Sequence, residues 1–410
     1  MKRFLAILGL WLMLAAPAWA NRLRTVGLES NNFTATEWNA TSGAGISIVT
    51  TTVHSGTYAI RINQTASGAY GRLDYSAMTS GTIFVRSFYY FTTLPNAAAK
   101  FMEFSSGGAG NSITYVTAGT TWQINSVGGG TSTGAVALST GQWYRFELDV
   151  LLSDTVGTVT GRLYSDMSTT PLETLSLTNQ DTLPTNITQC YIGAFAVSNT
   201  TDLYIDDIII NNDTGGGLFG STPGPSKIAR LDVASDSAMA WEDETAGVSV
   251  TDNVDDPPGT PNDADYNFED DTLNQVDRMN VGTLPAEVPS NADIISVDVY
   301  SRNGSNQTST SSMRLKLWDE GGSLTDGPTF NCGLNGWQIN NSAAHLPYEA
   351  GSKTKANVES FDLGYENLTD DATRPRRVSA LWANVEWIEA AGGGKTITGA
   401  GSINGPGSIN

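Results

Sequence analysis

The two histidines, His54 and His345, are the only imidazole side chains among the 410 residues. His54 lies in a predicted turn before Gly56, and His345 lies in a predicted loop before Pro347. Neither is accompanied by the Gly-x-Ser-x-Gly turn that presents a nucleophilic serine. Two histidines without a Cys-x-x-Cys pair also disfavour a zinc site. We therefore expect surface or packing histidines, and neither a hydrolase triad nor a zinc centre.

Two aspartates stand side by side in an apolar stretch, at Asp206 and Asp207 of the segment 203–210. Buried carboxylates need a cation or hydrogen-bond donors as partners. Neighbouring residues of a regular strand point to opposite faces, so only one of the two is expected to belong to any one site.

The charge balance is strongly acidic, with 42 Asp and Glu against 22 Lys and Arg and a net charge of −20. Such a surface repels phosphate backbones and anionic lipid, so nucleic-acid binding is disfavoured. It favours solubility and, where carboxylates cluster, the capture of calcium. The two cysteines, Cys190 and Cys332, are expected to be free buried thiols, although an oxidising compartment would permit a bridge.

The first twenty residues have the layout of a cleavable signal peptide. Lys2 and Arg3 precede an apolar run over 4–16, and Ala18-Trp19-Ala20 has the small-x-small form of a cleavage site. The apolar run is too short to span a bilayer, and no other stretch approaches the required length. We therefore predict a protein that is exported, without a membrane span, to the exterior or the cell surface.

Alternation of apolar and polar residues predicts an all-β chain. In the segment 142–151, Tyr144, Phe146, Leu148 and Val150 share one face, and charged residues alternate with them. This pattern is typical of a strand in a sandwich with one outward face. Other predicted strands cover 83–91, 112–116, 158–164, 189–197, 202–210, 294–302, 312–318 and 377–387.

Composition divides the chain into two β-sandwich domains in tandem. A first domain over 21–212 is followed by a Gly/Pro-rich linker at 213–226 and a second domain over 227–390. An acidic loop, 252–271, lies near the start of the second domain. Residues 391–410 contain a glycine-rich six-residue repeat and are predicted to be a flexible tail.

The first domain resembles the concanavalin A-like or LamG-like jelly rolls found in carbohydrate-binding modules and phage structural proteins. The segments that carry the resemblance are Gly27-Leu28-Glu29 before Trp38, then 55–61, 141–145 and 203–210. The resemblance implies a structural calcium ion held by Glu29 with Asp206 or Asp207. The alternative is that these carboxylates lie at strand ends and cap a turn.

The resemblance also draws attention to aromatic side chains that could bind a sugar. Sugar-binding sandwiches stack sugar rings on aromatics beside hydrogen-bonding polar groups, and the candidates here are Trp38, Tyr70, Tyr115, Trp122 and Trp143. Aromatics on strands are also the usual residues of a core, so each position has a structural alternative.

Glu147-Leu148-Asp149 resembles the first half of the Glu-x-Asp-x-(x)-Glu strand motif of jelly-roll glucanases. Leu151 and Leu152 occupy both places where the final acid of that motif would stand. Hydrolysis with retention needs two carboxyl groups about 5 Å apart. We therefore predict a non-catalytic domain with no catalytic residues, without excluding glycoside hydrolase or lyase activity.

The second domain resembles a module of tailed-phage virion proteins. The resemblance is carried by 254–263, Leu284-Pro285, 294–301, 313–317, 361–364 and 377–387. It implies a β-sandwich in a tail-associated protein, whereas the predicted signal peptide favours an exported cell-surface protein. The sequence thus predicts a structural or adhesion protein that binds a glycan or another surface ligand and contacts other subunits or further copies of itself. The alternatives are a secreted bacterial carbohydrate-binding protein and, less favoured, a polysaccharide-degrading enzyme.

Overall fold

The computed structural model describes residues 22–390 with short gaps. The gaps are 32, 34–36, 65–67, 107–113, 117–120, 184–185, 196–199, 214–217, 244–248, 270–271, 306–310, 333–335, 339–344 and 370–374. The predicted signal peptide and the predicted tail both lie outside the described residues.

The described part of the chain is nearly all β, as predicted. Within the described ranges the only helical elements are α1 (Lys355–Val358) and two 3-10 turns, Leu218–Gly220 and Thr251–Asn253. Every strand predicted from alternation overlaps an observed strand. No helix of the described part of the chain is long and apolar enough to cross a membrane.

The first region contains two antiparallel sheets. Their strands are β1 (Arg22–Val26), β2 (Ala40–Ser42), β3 (Ile46–Val49), β4 (Ala59–Gln64), β5 (Ala69–Met78), β6 (Thr82–Thr93), β7 (Ala99–Ser105), β8 (Thr114–Val116), β9 (Thr121–Asn125), β10 (Thr131–Ala137), β11 (Trp143–Leu151), β12 (Gly157–Ser165), β13 (Glu173–Gln180), β14 (Ile187–Phe195) and β15 (Thr201–Asn212). The eight-stranded sheet has the order β13-β12-β11-β6-β15-β4-β3, with β1 also paired to β15, and the seven-stranded sheet has the order β10-β9-β8-β7-β14-β5-β2.

One apolar core lies between these two sheets. The alternation of β11 places Tyr144, Phe146, Leu148 and Val150 in that core, as predicted. Residues of β6, β14 and β15 face the same core from both sheets. The opposite positions of β11 and β6 form the outer face of the eight-stranded sheet.

The second region forms a twelve-stranded sheet around its own core. Its strands are β16 (Lys227–Ala238), β17 (Glu242–Asp243), β18 (Asn267–Glu269), β19 (Val276–Val281), β20 (Asp293–Ser305), β21 (Ser312–Trp318), β22 (Leu324–Asp326), β23 (Phe330–Asn331), β24 (Gly336–Gln338), β25 (His345–Thr354), β26 (Asp362–Asn367) and β27 (Arg376–Ile388). Strand β16 pairs with β27 through its first half and with β19 through its second half. The two parts of the sheet therefore meet along β16 and enclose the core.

His345 begins β25 instead of lying in a loop, so that prediction is wrong. Its side chain is buried, with Nδ1 2.8 Å from Asp298 Oδ1 and its ring stacked on Tyr300. The alternation around Pro347 was the missing signal, because a proline in an edge position does not end a strand. The prediction for the cysteines is confirmed: Cys190 and Cys332 are free and buried. Burial raises the pKa of both thiols, that of Cys332 to about 12, so both stay protonated.

Buried polar contacts join the two regions along β1. The Thr25 carbonyl accepts hydrogen bonds from the Tyr300 hydroxyl at 3.0 Å and from Asn384 Nδ2 at 2.9 Å. Arg22 forms a buried ion pair with Glu386. Because these groups are removed from water and would lose hydrogen bonds if the regions separated, the contact favours one arrangement of the two regions.

Candidate functional site

The adjacent aspartates of β15 lie at a β-bulge. Strand β15 pairs with β4 up to Ile205 and with β1 from Ile208, and its register against β6 shifts between Asp206 and Ile209. Asp207 has a φ of 48°, in the left-handed region. Ile205 and Ile208 both face the core, so the two intervening carboxylates are not on opposite faces. The assumption of a regular strand, on which the prediction of a single site residue rested, is therefore wrong.

Both aspartates and Glu29 bind one short loop, residues 54–58. The Asp206 carboxylate accepts from the backbone N–H of His54 at 2.8 Å, and Asp207 accepts from the Ser55 hydroxyl at 2.6 Å. Glu29 accepts from the backbone N–H groups of Thr57 at 2.9 Å and Tyr58 at 3.2 Å. In this structure hydrogen-bond donors of the loop satisfy the three acids.

Burial makes two of these acids, Glu29 and Asp206, hold their protons more tightly than in water. Burial raises the pKa of Glu29 to about 8, and burial together with the charges of Asp207 and Glu29 raises the pKa of Asp206 well above its ordinary range. Among the described residues, no three His, Cys, Asp or Glu side chains are arranged to hold a metal ion. The calcium site at Glu29, Asp206 and Asp207 stays a prediction, and the loop of residues 54–58 is the competing partner for the same oxygens.

His54, which lies in the same loop, bridges two carboxylates from other parts of the chain. Its Nδ1 lies 2.5 Å from Asp207 Oδ2, and its Nε2 lies 2.8 Å from Asp166 Oδ1. The imidazole stacks on Phe88 with ring centroids 3.8 Å apart and meets Trp143 edge-on at 5.1 Å. Burial lowers the pKa of His54, but the hydrogen bonds with Asp166 and Asp207 outweigh burial and raise it. The same pairing lowers the pKa of Asp166.

An aromatic row crosses the outer face of the eight-stranded sheet beside His54. Four residues follow one another across four adjacent strands: Trp143 on β11, Tyr90 on β6, Tyr204 on β15 and Arg61 on β4. Each is the cross-strand neighbour of the next. The ring centroids are 5.5 Å apart from Trp143 to Tyr90 and 6.1 Å apart from Tyr90 to Tyr204. The Arg61 guanidinium lies 5.7 Å from the Tyr204 ring. We call these four residues the aromatic row.

Polar groups border the aromatic row at both ends. Arg61 donates to both carboxylate oxygens of Asp202, at 2.9 and 2.8 Å. Ser47, the partner of Arg61 on β3, is exposed. At the other end, Asp166 donates its backbone N–H to the Trp143 carbonyl, and half of its side chain is exposed. Trp143, Tyr90 and Arg61 are partly exposed, whereas Tyr204 is buried, with 7% of its surface exposed.

The prediction of an exposed platform is wrong for two of its residues. Trp38 and Trp122 are 0% and 1% exposed and belong to the core, so neither ring is available to a ligand. A side chain added at Gly71 would meet the Trp38 ring at 2.3 Å, so that glycine makes room for the indole. Tyr115 lies on β8, and its side chain is outside the described residues. Tyr70 is partly exposed on β5 of the seven-stranded sheet, and Trp143 is partly exposed on the outer face of the eight-stranded sheet.

Sequence reasoning missed Tyr90 and Tyr204. Both occupy outward positions of strands whose neighbours alternate into the core, which was the available signal. What the sequence lacked was the order of strands, because β11, β6 and β15 are neighbours in the sheet but distant in the chain.

The half-motif Glu147-x-Asp149 has structural partners on the same face. Glu147 is buried and accepts from Arg145 Nε at 2.7 Å. Asp149 accepts from Arg162 Nη1 at 2.5 Å and from the Thr222 hydroxyl at 2.9 Å. Thr222 belongs to the segment that precedes the second region, so Asp149 also anchors that segment to the sheet.

No family model and no curated protein matches this sequence. Among solved structures, the CBM22-1-CBM22-2 tandem domain from Paenibacillus barcinonensis Xyn10C aligns over 90% of this chain and 98% of its own, with 9% identity and a TM-score of 0.24. Domain 4 of AbnA, a GH43 extracellular arabinanase from Geobacillus stearothermophilus, was solved with arabinotriose. It aligns over 47% of this chain and 93% of its own, with 15% identity and a TM-score of 0.32. Basic winged bean lectin, solved with Tn-antigen, aligns over 43% and 95%, with 9% identity and a TM-score of 0.29. At these TM-scores the similarities carry no argument about function.

Proposed function

We propose that this protein is a non-catalytic adhesion protein that binds glycan chains on the outer face of its eight-stranded sheet. The observation that carries the proposal is the aromatic row. Its four positions lie on four adjacent strands, which at about 4.8 Å per strand make a platform roughly 14 Å long. Partly exposed aromatic rings offer large apolar area at a low cost in conformational entropy.

The polar surroundings of the aromatic row suit a hydroxyl-rich ligand. The Arg61–Asp202 pair presents donors and acceptors in fixed positions, because each side chain holds the other. Orientation of a ligand by a few placed polar groups beside an apolar surface is the usual form of a binding site. A shallow platform of this kind binds a chain along its length instead of enclosing it.

The role of the second region is proposed from the sequence resemblance. In this proposal it attaches the glycan-binding region to an exported cell-surface assembly or, alternatively, to a virion. The buried contacts along β1 support a fixed attachment, since they join the two regions without a free hinge at that point.

Retention on immobilised polysaccharides and on a glycan array tests the proposal. Trp143→Ala and Tyr90→Ala should each weaken retention about tenfold, as expected for the loss of a central aromatic contact. Tyr70→Ala is the matched control, because Tyr70 is also partly exposed but lies on the seven-stranded sheet.

Equal loss in all three variants, or loss with Tyr70→Ala alone, would remove the aromatic row as the site. Release of reducing ends from a bound polysaccharide would contradict the non-catalytic part of the proposal.

A further inference from the structure

A cleft of about 760 Å³ lies between the two regions. One wall is formed by Glu29–Asn31 and Thr57–Tyr58 of the first region. The opposite wall is formed by the acidic loop at Pro257, Gly259 and Thr260 and by Thr283–Ala286. Its volume is in the range of small-molecule sites, which occur preferentially between domains.

The walls of the cleft are held in place by direct contacts. A side chain added at Gly259 would meet the Ser30 carbonyl oxygen at 1.9 Å, so the acidic loop touches the first region where only glycine fits. Arg230 Nη1 donates to the Glu29 carbonyl at 2.9 Å across the boundary. Lys355 Nζ donates to the carbonyls of Leu284 and Val288, both at 3.0 Å. A ligand would therefore enter a cleft that is already formed, which lowers the entropic cost of binding.

The lining offers hydrogen-bond donors and acceptors together with one aromatic residue. Arg230 and Asp232 form a pair at 2.8 Å, with side chains that are 24% and 41% exposed. Tyr58 is a partly exposed residue of the lining, and Thr57, Thr260 and Thr283 are exposed residues of the same lining. A paired guanidinium and carboxylate beside hydroxyls can bind neighbouring hydroxyl groups of one ligand.

The charges of the lining are largely satisfied within the protein. Arg230 is paired with Asp232, and the Lys355 ammonium is directed at backbone carbonyls. The Glu29 carboxylate accepts hydrogen bonds from the backbone N–H groups of Thr57 at 2.9 Å and Tyr58 at 3.2 Å. The cleft therefore favours an uncharged ligand over an anion or a cation.

We propose that this cleft is a second binding site, which takes a short neutral saccharide or the end of a saccharide chain. The ligand class rests on the proposed function, but the residues are different from those of the aromatic row. The row accommodates a chain laid across the sheet, whereas the cleft encloses a few sugar units.

Isothermal titration calorimetry of the full chain with maltotriose, xylotriose and β-1,4-galactotriose tests the inference. At least one trisaccharide should bind the wild type. Tyr58→Ala should weaken that binding about tenfold through the loss of its ring, and Thr283→Arg should do the same by filling the cleft from an exposed position. Thr155→Arg, at an exposed threonine in the turn between β11 and β12, is the matched control and should change it less than about twofold.

Thr283→Arg keeps the test valid if Tyr58→Ala impairs folding, since Tyr58 also packs against the core. The inference is overturned if no trisaccharide binds, if both cleft variants bind like the wild type, or if Thr155→Arg weakens binding as much as Thr283→Arg. In each of these cases retention on polysaccharide that still depends on Trp143 would leave the proposed function intact.

Discussion

Asp166→Asn removes one of the two carboxylates that flank His54. The asparagine keeps the shape of the side chain, and Asp207 keeps its own contact with Nδ1. Because the hydrogen bond with Asp166 is the largest of the influences that raise the pKa of His54, the variant should lower that pKa.

The sign of the pH dependence follows from this direction. A histidine with a raised pKa in the folded state stabilises the fold fully below its unfolded value, near 6.5, and loses that contribution as pH rises through the folded value. The Asp166 side chain is 52% exposed, so solvent screens the pair. Asp166→Asn should therefore cost about 0.5–1 kcal/mol at pH 5.5, the upper part of the range for exposed pairs.

At higher pH the cost should vanish or reverse. Once His54 is neutral and keeps its proton on Nδ1 towards Asp207, the bare Nε2 is an acceptor. The asparagine amide can then donate to Nε2, whereas the Asp166 carboxylate cannot. Glu29 also lowers stability as pH rises towards 8, because its folded pKa is raised, but this contribution is common to both proteins and cancels in the difference.

The assay combines NMR titration with urea unfolding between pH 5.5 and 9. Only two histidines contribute imidazole signals, and His345 serves as the internal reference. Asp154→Asn is the control, because Asp154 is an exposed carboxylate in the turn between β11 and β12. An unchanged His54 pKa in Asp166→Asn, or a stability difference that is the same at every pH, would refute the reasoning.

Two further predictions concern the buried acids. Glu386→Gln should destabilise the protein by about 3–5 kcal/mol, because it leaves the buried Arg22 charge without its partner. The control is Glu389→Gln, at a side chain that is 71% exposed, which should change stability by less than about 0.5 kcal/mol. Calorimetry of both variants measures this, and equal effects would contradict it. If calcium binds at Glu29, Asp206 and Asp207, adding calcium should raise the midpoint of thermal unfolding, and Asp206→Asn should abolish that rise. A midpoint that stays unchanged on chelation and on titration with calcium would remove the metal prediction.

The alternation of single strands was readable from the sequence because it records burial directly. The face of Tyr144, Phe146, Leu148 and Val150 was predicted and is observed in the core. The bulge at Asp206 and Asp207 was not readable, because it arises where β15 changes partner from β4 to β1. A partner change is a property of the assembled sheet and leaves no periodic signal.

The candidate site was predictable only in part for the same reason. Trp143 was identified, but its neighbours in the aromatic row come from strands far apart in the chain. Trp38 and Trp122 were misassigned because an aromatic residue on a strand has the same pattern whether it faces a core or solvent. The contacts of Glu386 and Asn384 with β1 could not be predicted either, since the sequence of their strand shows only the usual alternation.

The double hydrogen bond at the Thr25 carbonyl has a consequence for avidity. It fixes the direction of the aromatic row relative to the second region, so an array of copies attached through that region would present all its rows in one orientation. Simultaneous binding then depends on the match between the spacing of the copies and the spacing of the ligands, because the buried contacts along β1 hold the two regions in one arrangement. A dense, regular ligand surface would be held far more strongly than a sparse one of equal composition.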